Sequence, residues 1–582
     1  MKPESSRSWL RALELTAPIA QNPSVTFPSL IDQFAKRFGS ATALECGATR
    51  LSYFELQERM RHYERWAQSQ QLGPGDIVCL LMENCADYPA IWLGISRTGA
   101  AVSLINCHLK GEPLLHSIEL VSPRSIIVGA NLYSNLASMG DACISTGAIW
   151  THGRDIPGQR RIDGDLGHDR LNPICHRSTV FETALYIYTS GTTGLPKAAR
   201  VSHFRIMQWS HWFAGLLGIE KTDRMYNCLP MYHSIGGVVA TCAPLVAGGS
   251  VVVRPRFSVS EFWSDISEHD CTLFQYIGEL CRYLLASPPH PQETSHRLRL
   301  CCGNGLSGAV WEDFQGRFRI PRIVEFYAAT EGSLSLYNCE GKPGSVGRIP
   351  SFLGHRFAIE LVKFDVDSGR PLRGVDGFCV RVSIGEPGHA ISRIGGSGPG
   401  GFEGYSDRTE TDNKILRDVF AEGDAWYMSG DIMRKDRRGY YYFVDRVGDT
   451  FRWKGENVST AEVSDVVARC PGIAEAVVFG VHVPHTDGRA GMAAIIPDLH
   501  LDLREFHRAL GQRLSAFARP VFLRVLPAIE LTGTFKPQKQ RLKEQGYDPT
   551  ITSDPLFFDN GVEFVSLDAS LFERIQSGAV RV

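Results

Sequence analysis

The feature that most constrains this chain is a glycine- and threonine-rich run between two strand-like segments. Residues Ala184–Lys197 read ALYIYTSGTTGLPK, in which Leu185–Tyr188 is typical of a buried strand and Lys197–Val201 of a second strand. Small residues let a backbone close around a bulky anion, and exposed N–H groups and hydroxyls donate to phosphate oxygens. The run predicts a phosphate-binding loop with these residues: Thr189, Ser190, Gly191, Thr192, Thr193, Gly194 and Lys197.

The loop differs from the P-loop pattern GxxxxGK[ST], because Pro196 precedes the lysine and neither Ser nor Thr follows it. A flexible Ser/Thr/Gly linker is the alternative interpretation. Such a linker is not expected between two strands, so the sequence favours phosphate binding.

Strand-like and helix-like patterns alternate along most of the chain, which predicts an α/β fold. A length of 582 residues is too great for one compact core, so two or more domains are expected. We predict a large N-terminal domain over 1–445, made of α/β subdomains with a β-rich subdomain over 341–445, and a small α+β C-terminal domain over 446–582. The first 40 or so residues are predicted to be peripheral.

Composition excludes several classes of function. The formal charge of −2 does not suggest a nucleic-acid partner, whose binding needs a basic surface. The 15 cysteines form no CxxC pair, so a zinc or redox motif is not expected. The N-terminal residues contain no long apolar stretch, so neither a signal peptide nor an anchor is expected there. The apolar run Ile235–Val253 is interpreted as a buried helix and strand. We predict a cytoplasmic protein, with peripheral membrane contact and oligomeric state left open.

The glycine-rich run resembles the phosphate loop of the adenylate-forming superfamily of acyl-CoA synthetases, luciferases and peptide-synthetase adenylation domains. Further motifs of that superfamily follow in order. Leu229–Gly237 (LPMYHSIGG) is similar to its second motif, and Glu325–Gly332 (EFYAATEG) to its adenine and metal motif. The resemblance implies that His233 lies near the reacting carboxylate and that Tyr327 stacks on adenine. It also implies that Thr330 contacts phosphate and that Glu331 holds Mg²⁺, a hard cation that prefers oxygen ligands.

Two motifs nearer the C-terminus extend the resemblance. Asp431, in the triplet Ser-Gly-Asp, and Arg446 are implied to bind the ribose hydroxyls of ATP. Thr532–Lys536 (TGTFK) resembles the final motif, in which Lys536 approaches the carboxylate and the α-phosphate. A cation there would stabilise the charge of the transition state.

A narrower resemblance is to the fatty acid transport proteins, also called very-long-chain acyl-CoA synthetases. It covers roughly residues 40 to 550 and includes Phe274–Leu285, Asp445–Val463 and the turn CGNGL, which adds Gly303, Asn304 and Gly305 to the nucleotide-binding residues. Asn106-Cys107-His108 departs from the Asn-Thr-Asn usual in that family, and Ser333 stands where Asn is common. These departures bear on the identity of the acid rather than on the chemistry.

The resemblance implies an ATP- and Mg²⁺-dependent enzyme. It would form an acyl-adenylate and transfer the acyl group of a long- or very-long-chain fatty acid to CoA. The C-terminal domain is implied to rotate between the two steps about Gly448, a residue type with a wide φ/ψ range. A simple turn glycine is the alternative for that position.

Three other functions compete with this interpretation. The pattern GNGLSG, with Glu325 downstream, fits the dinucleotide fingerprint of an oxidoreductase but accounts for none of the other motifs. The same adenylation chemistry could act on another acid, or on nitrite with transfer to an aryl amine in a natural-product pathway. A non-enzymatic membrane-associated fatty-acid carrier would leave the ATP motifs unexplained.

Overall fold

A computed structural model describes residues 3–137, 148–164, 176–190, 196–366, 368–395, 401–486, 488–498, 500–531 and 537–582. The described chain divides into two compact units. Unit one contains residues 1–357 and 393–416, and unit two contains 358–392 and 417–582. Residues 358–392 and 417–445 of the predicted β-rich subdomain therefore group with the C-terminal tail, and its other residues group with unit one. The predicted boundary between Asp445 and Arg446 stays a prediction.

The helices of unit one are distributed along its whole length and alternate with strands. In chain order they are α1 (Pro3–Thr16), α2 (Phe27–Phe38), α3 (Tyr53–Ser69), α4 (Asp87–Ser96), α5 (Gly111–Glu119), α6 (Tyr133–Ala137), α7 (His203–Leu217), a π-helix (Ile235–Val239), α8 (Ala240–Ala247), α9 (Phe262–Glu268), α10 (Gly278–Ala286), α11 (Gly308–Arg317) and α12 (Arg408–Asp412).

The strands described in unit one form two sheets, with the exception of the last strand. They are β1 (Thr42–Cys46), β2 (Thr49–Ser52), β3 (Ile77–Leu81), β4 (Ala101–Leu104), β5 (Ser125–Gly129), β6 (Ala148–His152), β7 (Arg160–Arg161), β8 (Thr183–Ser190), β9 (Pro196–Ser202), β10 (Arg224–Asn227), β11 (Ser250–Val253), β12 (Leu273–Ile277), β13 (Leu300–Asn304), β14 (Ile323–Ala328), β15 (Ser335–Asn338) and β16 (Gly347–Arg348).

Both large sheets of unit one are mainly parallel. One has the order β15-β14-β13-β12-β10-β11-β1-β2 and the other β7-β6-β5-β3-β4-β8-β9. Antiparallel pairing occurs at their margins, in the hairpins β1–β2, β8–β9 and β14–β15. One apolar core runs through this unit, from Trp9 to Leu353. The predicted α/β fold is confirmed.

Local sequence signals explain why several elements begin where they do. Helix α3 starts with a capping box, in which Ser52 Oγ accepts from the Glu55 N–H at 3.2 Å and the Glu55 carboxylate accepts from the Ser52 N–H at 2.7 Å. The apolar run Ile235–Val253 forms the π-helix, α8 and β11, as predicted.

The expectation that the N-terminus is peripheral is wrong. Trp9 of α1 is buried against Trp212 of α7, with ring centroids 5.7 Å apart, and against Tyr337 and Phe357. Gly215 of α7 lets α1 approach closely, because an added Cβ there would lie 2.6 Å from the backbone of Ala12. Helix α1 is therefore part of the core of unit one.

Unit two begins with β-rich structure and continues into an α+β tail. Its elements are β17 (Ile359–Val362), β18 (Pro387–Arg393), β20 (Ala425–Lys435), β21 (Tyr440–Arg446), β22 (Phe451–Trp453), β23 (Glu456–Val458), α13 (Thr460–Val467), β24 (Ile473–His482), β25 (Arg489–Pro497), α14 (Leu503–Arg513), β26 (Phe522–Val525), α15 (Gln540–Gln545), β27 (Leu556–Asp559), β28 (Phe564–Ser566) and α16 (Ala569–Gln576). The short strand β19 (Ile415–Arg417) lies at the border of the two units.

Unit two has two larger sheets and the separate antiparallel pair β22–β23. Strands β17, β18, β20 and β21 are neighbours in the order β21-β20-β18-β17, and the tail has a sheet of order β24-β25-β26-β27-β28. The tail also has its own apolar core, formed between Phe451 and Ile575. A second core is what an independently packed C-terminal region requires.

Candidate active site

The predicted phosphate loop joins the ends of the antiparallel pair β8–β9. Thr189 pairs with Lys197 and Ser190 with Pro196 across this hairpin. Gly191, Thr192, Thr193 and Gly194 fall outside the described residues, so their predicted contacts stay predictions. The Lys197 ammonium forms an ion pair with Glu410 of α12. The positive charge at the base of the loop is thus held by a carboxylate 213 residues away.

The loop that carries His233 is fixed by one buried amide. Asn84 Nδ2 donates to the Leu229 carbonyl at 2.8 Å, and its Oδ1 accepts from the Met231 N–H at 2.8 Å. The His233 N–H donates to the Pro230 carbonyl at 3.2 Å, and the ring lies 4.6 Å from that of Tyr232. His233 therefore lies at the end of a turn whose backbone is hydrogen-bonded to the Asn84 amide and, through the His233 N–H, to the Pro230 carbonyl.

The second motif meets the adenine and metal motif. Ser234 Oγ, next to His233, lies 3.2 Å from Thr330 Oγ1. Tyr327 is on β14, opposite Leu336 of β15, and Thr330 and Glu331 follow the end of that strand. The structure thus brings together residues that lie almost 100 positions apart in the sequence.

A buried arginine that the sequence analysis missed shapes this motif. Arg205 of α7, 3% exposed, donates to the carbonyls of Thr330, Gly332 (3.2 Å) and Gly401 (2.9 Å). Its Nε lies 3.6 Å from the Glu403 carboxylate. A planar guanidinium with five donors suits such a multiple contact. Arg205 therefore fixes the backbone on both sides of Glu331.

A second missed residue links the metal motif to the phosphate loop. The Tyr405 phenol hydrogen-bonds with the Glu331 carboxylate and with the Thr189 side chain. Burial, reinforced by the neighbouring Glu331 carboxylate, raises the pKa of Tyr405. Tyr405 thus remains a neutral phenol that donates to Glu331, and it joins one end of the predicted loop to the predicted metal ligand.

The predicted nucleotide-binding turn follows β13. Gly303 and Asn304 end that strand, and Gly305 has φ 82°, a left-handed conformation that favours glycine. Among the described residues none pairs with the buried Asn304 Oδ1. The strand–turn–helix context of the dinucleotide fingerprint is present, since α11 follows at Gly308. Gly303 has a packing role here, however, because the absence of a side chain makes room for the Tyr276 ring.

The two predicted ribose-binding residues lie side by side in unit two. Asp431 of β20 is the register partner of Arg446 of β21, and Arg446 Nε lies 3.9 Å from Asp431 Oδ1. Ser429 Oγ donates to the Ala390 carbonyl at 2.6 Å and accepts from the Asp431 N–H at 3.1 Å. Adjacency of a carboxylate and a guanidinium suits a diol, and their contact with ribose stays a prediction.

The predicted hinge residue, Gly448, lies in a segment that contacts two lysines, Lys539 and Lys543. The Gly448 carbonyl is 3.5 Å from Lys543 Nζ, and Asp449 interacts with Lys539 at 3.4 Å and Lys543 at 2.8 Å. An added Cβ at Gly448 would meet nothing within 4 Å. The hinge role of Gly448 stays a prediction, and Lys536 lies outside the described residues.

Next to that segment, a buried carboxylate organises the start of the tail. Asp445 accepts from the backbone N–H of Thr460 at 2.5 Å and of Arg446 at 2.9 Å. Burial raises the pKa of Asp445 and lowers that of Lys539, which donates to Thr460 Oγ1 at 3.1 Å. No sequence pattern marks Lys539, because its partners lie 79 and 90 residues away.

The described residues offer neither a ready-made cluster of metal ligands nor a membrane-spanning helix. They contain no group of three or more His, Cys, Asp or Glu side chains that could hold a metal ion. No helix among them has the length and apolar character needed to cross a membrane.

Comparisons with known proteins were made by sequence and by structure. The protein-family model described as AMP-binding enzyme matches residues 31–382 of the sequence. The family model described as AMP-binding enzyme C-terminal domain matches residues 462–536. The long-chain fatty acid transport protein 1 of Mus musculus is 40% identical over 522 residues, covering 88% of this chain and 81% of that protein. The long-chain fatty acid transport protein 6 of the same organism is 40% identical, with 88% and 84% covered.

Solved structures agree on the fold. An anthranilate CoA ligase in complex with anthranoyl-AMP is similar with a TM-score of 0.76 and 21% identity, covering 89% of this chain and 97% of that chain. The ATP-bound MatB from Rhodopseudomonas palustris gives a TM-score of 0.74 and 21% identity, with 91% and 100% covered. At this identity the likeness shows a shared fold.

Proposed function

Since this chain belongs to the AMP-binding enzyme family and is an AMP-forming ligase, we propose that it joins a long- or very-long-chain fatty acid to CoA by way of an acyl-adenylate. The observation that carries this proposal is the 40% identity to long-chain fatty acid transport proteins across 88% of the chain. The convergence of Thr189, Glu331, Thr330 and Ser234 in unit one supports it.

The first half-reaction activates the acid. An oxygen of the fatty-acid carboxylate attacks the α-phosphorus of ATP, a new P–O bond forms, and the bond to the β-phosphate breaks to release pyrophosphate. Such a displacement depends on positioning and electrostatics. The loop Thr189–Gly194 and Lys197 would hold the phosphates, while Lys536 would approach the reacting carboxylate and His233 would lie beside it.

Magnesium would bind through Glu331. Mg²⁺ prefers oxygen ligands and commonly takes one or two carboxylates together with substrate phosphates and water. Glu331 offers one nearly buried carboxylate, 7% exposed, and the Tyr405 hydrogen bond orients it beside the phosphate loop. This donor set fits the ion, which when bound would neutralise charge on the phosphates. Tyr405 and Arg205 are then positioning residues for this carboxylate.

The nucleotide would be recognised by residues from both the strands and the turns. Tyr327 would stack on adenine beside the turn Gly303–Gly305, and Thr330 would donate to phosphate. Asp431 would accept hydrogen bonds from the ribose hydroxyls, with Arg446 as the second ribose contact. These assignments rest on the family membership.

The second half-reaction transfers the acyl group. The CoA thiolate attacks the acyl carbonyl, the C–S bond forms, and the bond between the acyl carbon and the AMP oxygen breaks. The tail that follows Gly448 would change its orientation between the two half-reactions. The separate apolar core of the tail supports this proposal, because a separately packed region can change its orientation as a unit.

The test is pyrophosphate release by the purified protein with ATP and Mg²⁺. Acids from acetate to long-chain fatty acids are compared, with CoA present or absent, and nitrite with an aryl amine forms a separate arm. We expect release to peak with long apolar acids and acyl-CoA to accumulate. Glu331→Gln, which removes the predicted metal ligand, is assayed in parallel to test the metal assignment.

Silence with every fatty acid, together with turnover of nitrite and amine, would overturn the fatty-acid assignment and leave the adenylation chemistry intact. Pyrophosphate release without a CoA product would instead overturn CoA as the acceptor. Equal rates for the Glu331→Gln variant and the unmodified protein would overturn the metal assignment.

A further inference from the structure

Three neighbouring strands of unit one place Tyr276, Gly303 and Glu325 in one row. Tyr276 of β12 is the register partner of Gly303 of β13, which in turn pairs with Glu325 of β14. A Cβ added at Gly303 would lie 2.4 Å from Cδ2 of the Tyr276 ring. The missing side chain therefore lets the ring cross β13, and the Tyr276 phenol donates to one oxygen of the Glu325 carboxylate.

The other oxygen of Glu325 holds the turn that follows β13. Oε1 accepts from the Leu306 N–H at 3.0 Å, and the carboxylate also hydrogen-bonds with the Gly305 backbone. On its other side the turn packs against Gly278, where an added Cβ would lie 1.9 Å from the Gly305 carbonyl oxygen. A single carboxyl group thus fixes the left-handed turn against the first residue of α10.

Glu325 is almost completely buried, which is unusual for a glutamate whose role is only structural. The Glu325 residue is 2% exposed, and its carboxyl group contacts a phenol and two N–H groups. Among the described residues, no cationic side chain pairs with it. Burial raises its pKa to about 8. Well-packed apolar residues commonly stabilise such a site at least as well as a buried ionisable group does. The carboxyl group therefore needs a reason beyond stability.

That reason lies two residues further along the same strand. Side chains alternate along a strand, so Glu325 and Tyr327 point to the same side of β14. We propose that Glu325 and Tyr276 are positioning residues that set the turn Gly305–Leu306 at a fixed distance from Tyr327, so that the turn and the ring form two sides of the adenine site. This inference rests on the proposed function for the role of Tyr327.

Three variants separate positioning from packing. Glu325→Gln keeps an oxygen that accepts from the N–H groups and an amide that donates to the Tyr276 oxygen. Glu325→Leu approximately keeps the volume of the side chain and removes every hydrogen bond of the carboxyl group. Tyr276→Phe removes only the hydrogen bond from the phenol. We expect Glu325→Leu to raise KM for ATP roughly tenfold or more. KM for the acid should stay within about twofold, and Glu325→Gln should remain within about threefold for both substrates.

Direct binding of Mg·ATP, measured by calorimetry without acid or CoA, distinguishes the possible failures. Absence of binding to the unmodified protein would overturn the proposed function. Equal affinity of the unmodified protein and folded Glu325→Leu would overturn the positioning role alone. A parallel rise of KM for both substrates, or a loss of stability without any change of KM, would also overturn it. If Glu325→Leu fails to fold, the KM for ATP of Tyr276→Phe is compared with that of Glu325→Gln, and this comparison decides whether the positioning role holds.

The pH dependence of stability gives a second readout. The groups that face Glu325 are Tyr276 from β12, Cys302 from β13 and Cys281 from α10, and burial raises the pKa of each, so they stay neutral near pH 7. Folding raises the pKa of Glu325 from its ordinary value of 4.5 to about 8. Its contribution to stability is therefore complete below about pH 4.5 and is lost as pH rises through about 8.

Glu325→Gln has no such proton to lose. Between pH 6 and 9 we expect the Tm of the unmodified protein to fall more steeply than that of Glu325→Gln. Parallel curves for the two proteins would show that Glu325 ionises normally in the folded state and would contradict the buried hydrogen-bonded arrangement.

Discussion

At the scale of single residues, the candidate site depends on side chains that come from distant parts of the chain. Arg205, Tyr405 and Glu410 contact the predicted functional residues, although they belong to none of the predicted motifs. Each supplies a hydrogen bond or a charge that the loops cannot provide for themselves. The buried arginine has the most contacts and gives the sharpest test of this scaffold.

We predict that Arg205→Met destabilises the protein by about 3–5 kcal/mol, because it leaves buried carbonyl oxygens without their donor and removes the cation beside the Glu403 carboxylate. Urea unfolding measures the change. Arg205→Lys should recover only part of the loss, since an ammonium cannot reproduce the guanidinium fork.

Arg297 offers a matched control, because its side chain is 70% exposed. Arg297→Met should change stability by less than about 0.5 kcal/mol. An Arg205→Met variant as stable as this control would show that Arg205 does not hold the loops.

A second prediction at this scale concerns the lysine of the final motif. Lys536→Ala should block formation of the acyl-adenylate, because the cation that brings the carboxylate and the α-phosphate together is lost. Thioester formation from supplied acyl-adenylate should remain largely intact. Single-turnover assays of the two half-reactions measure both quantities.

The exposed Lys221 provides the control substitution, Lys221→Ala, which should leave both half-reactions unchanged. A defect of Lys536→Ala confined to thioester formation would contradict the assigned role.

At the scale of secondary-structure elements, helix α1 is a component of the core of unit one. Its apolar face packs on α7, where Trp9 meets Trp212 and Gly215 allows close approach, and Trp9 also contacts the rings of Tyr337 and Phe357. Arg11 adds a hydrogen bond from its Nε to the Gly215 carbonyl at 3.1 Å. Because α7 also carries Arg205, the docking of α1 stabilises the helix that holds the metal motif.

We predict that Trp9→Ala destabilises the protein by about 3–5 kcal/mol, the usual range for removing a buried tryptophan. Thermal unfolding is the measurement. Leu10→Ala, on the neighbouring residue that is 49% exposed, should change stability by less than about 0.5 kcal/mol. Equal effects of the two substitutions would mean that α1 does not pack as described.

At the scale of the whole molecule, the chain has two compact units and a separate core in its tail. A reaction with two chemical steps can use such an organisation, because a separately packed region can present different residues to one site. The test of this idea is at Gly448, where the backbone would have to adopt two conformations.

We predict that Gly448→Pro spares one half-reaction more than the other, because a ring-locked φ permits only one of the two backbone states. Gly448→Ala is the matched control and should fold normally, since an added Cβ meets nothing within 4 Å. Equal loss of both half-reactions in a normally folded Gly448→Pro protein would refute the hinge.

The sequence alone determined the fold class, the two strands that flank the phosphate loop and the order of the motifs. These features depend on residue types at short spacing, where local sterics and periodicity act directly: strands β8 and β9 flank the glycine run, and α3 begins at its capping box. The family resemblance predicted His233, Thr330 and Glu331 as site residues, and the structure places Ser234, next to His233, against Thr330.

Only the tertiary structure decided which side chains hold these motifs in place. The order of strands brought Tyr276, Gly303 and Glu325 into one row, and the return of residues 401–410 to β9 brought Tyr405 to Glu331. No local pattern encodes such contacts, because the partners are separated by tens to hundreds of residues. Their meeting depends on how buried surfaces pack across the whole unit, which also drew α1 into the core.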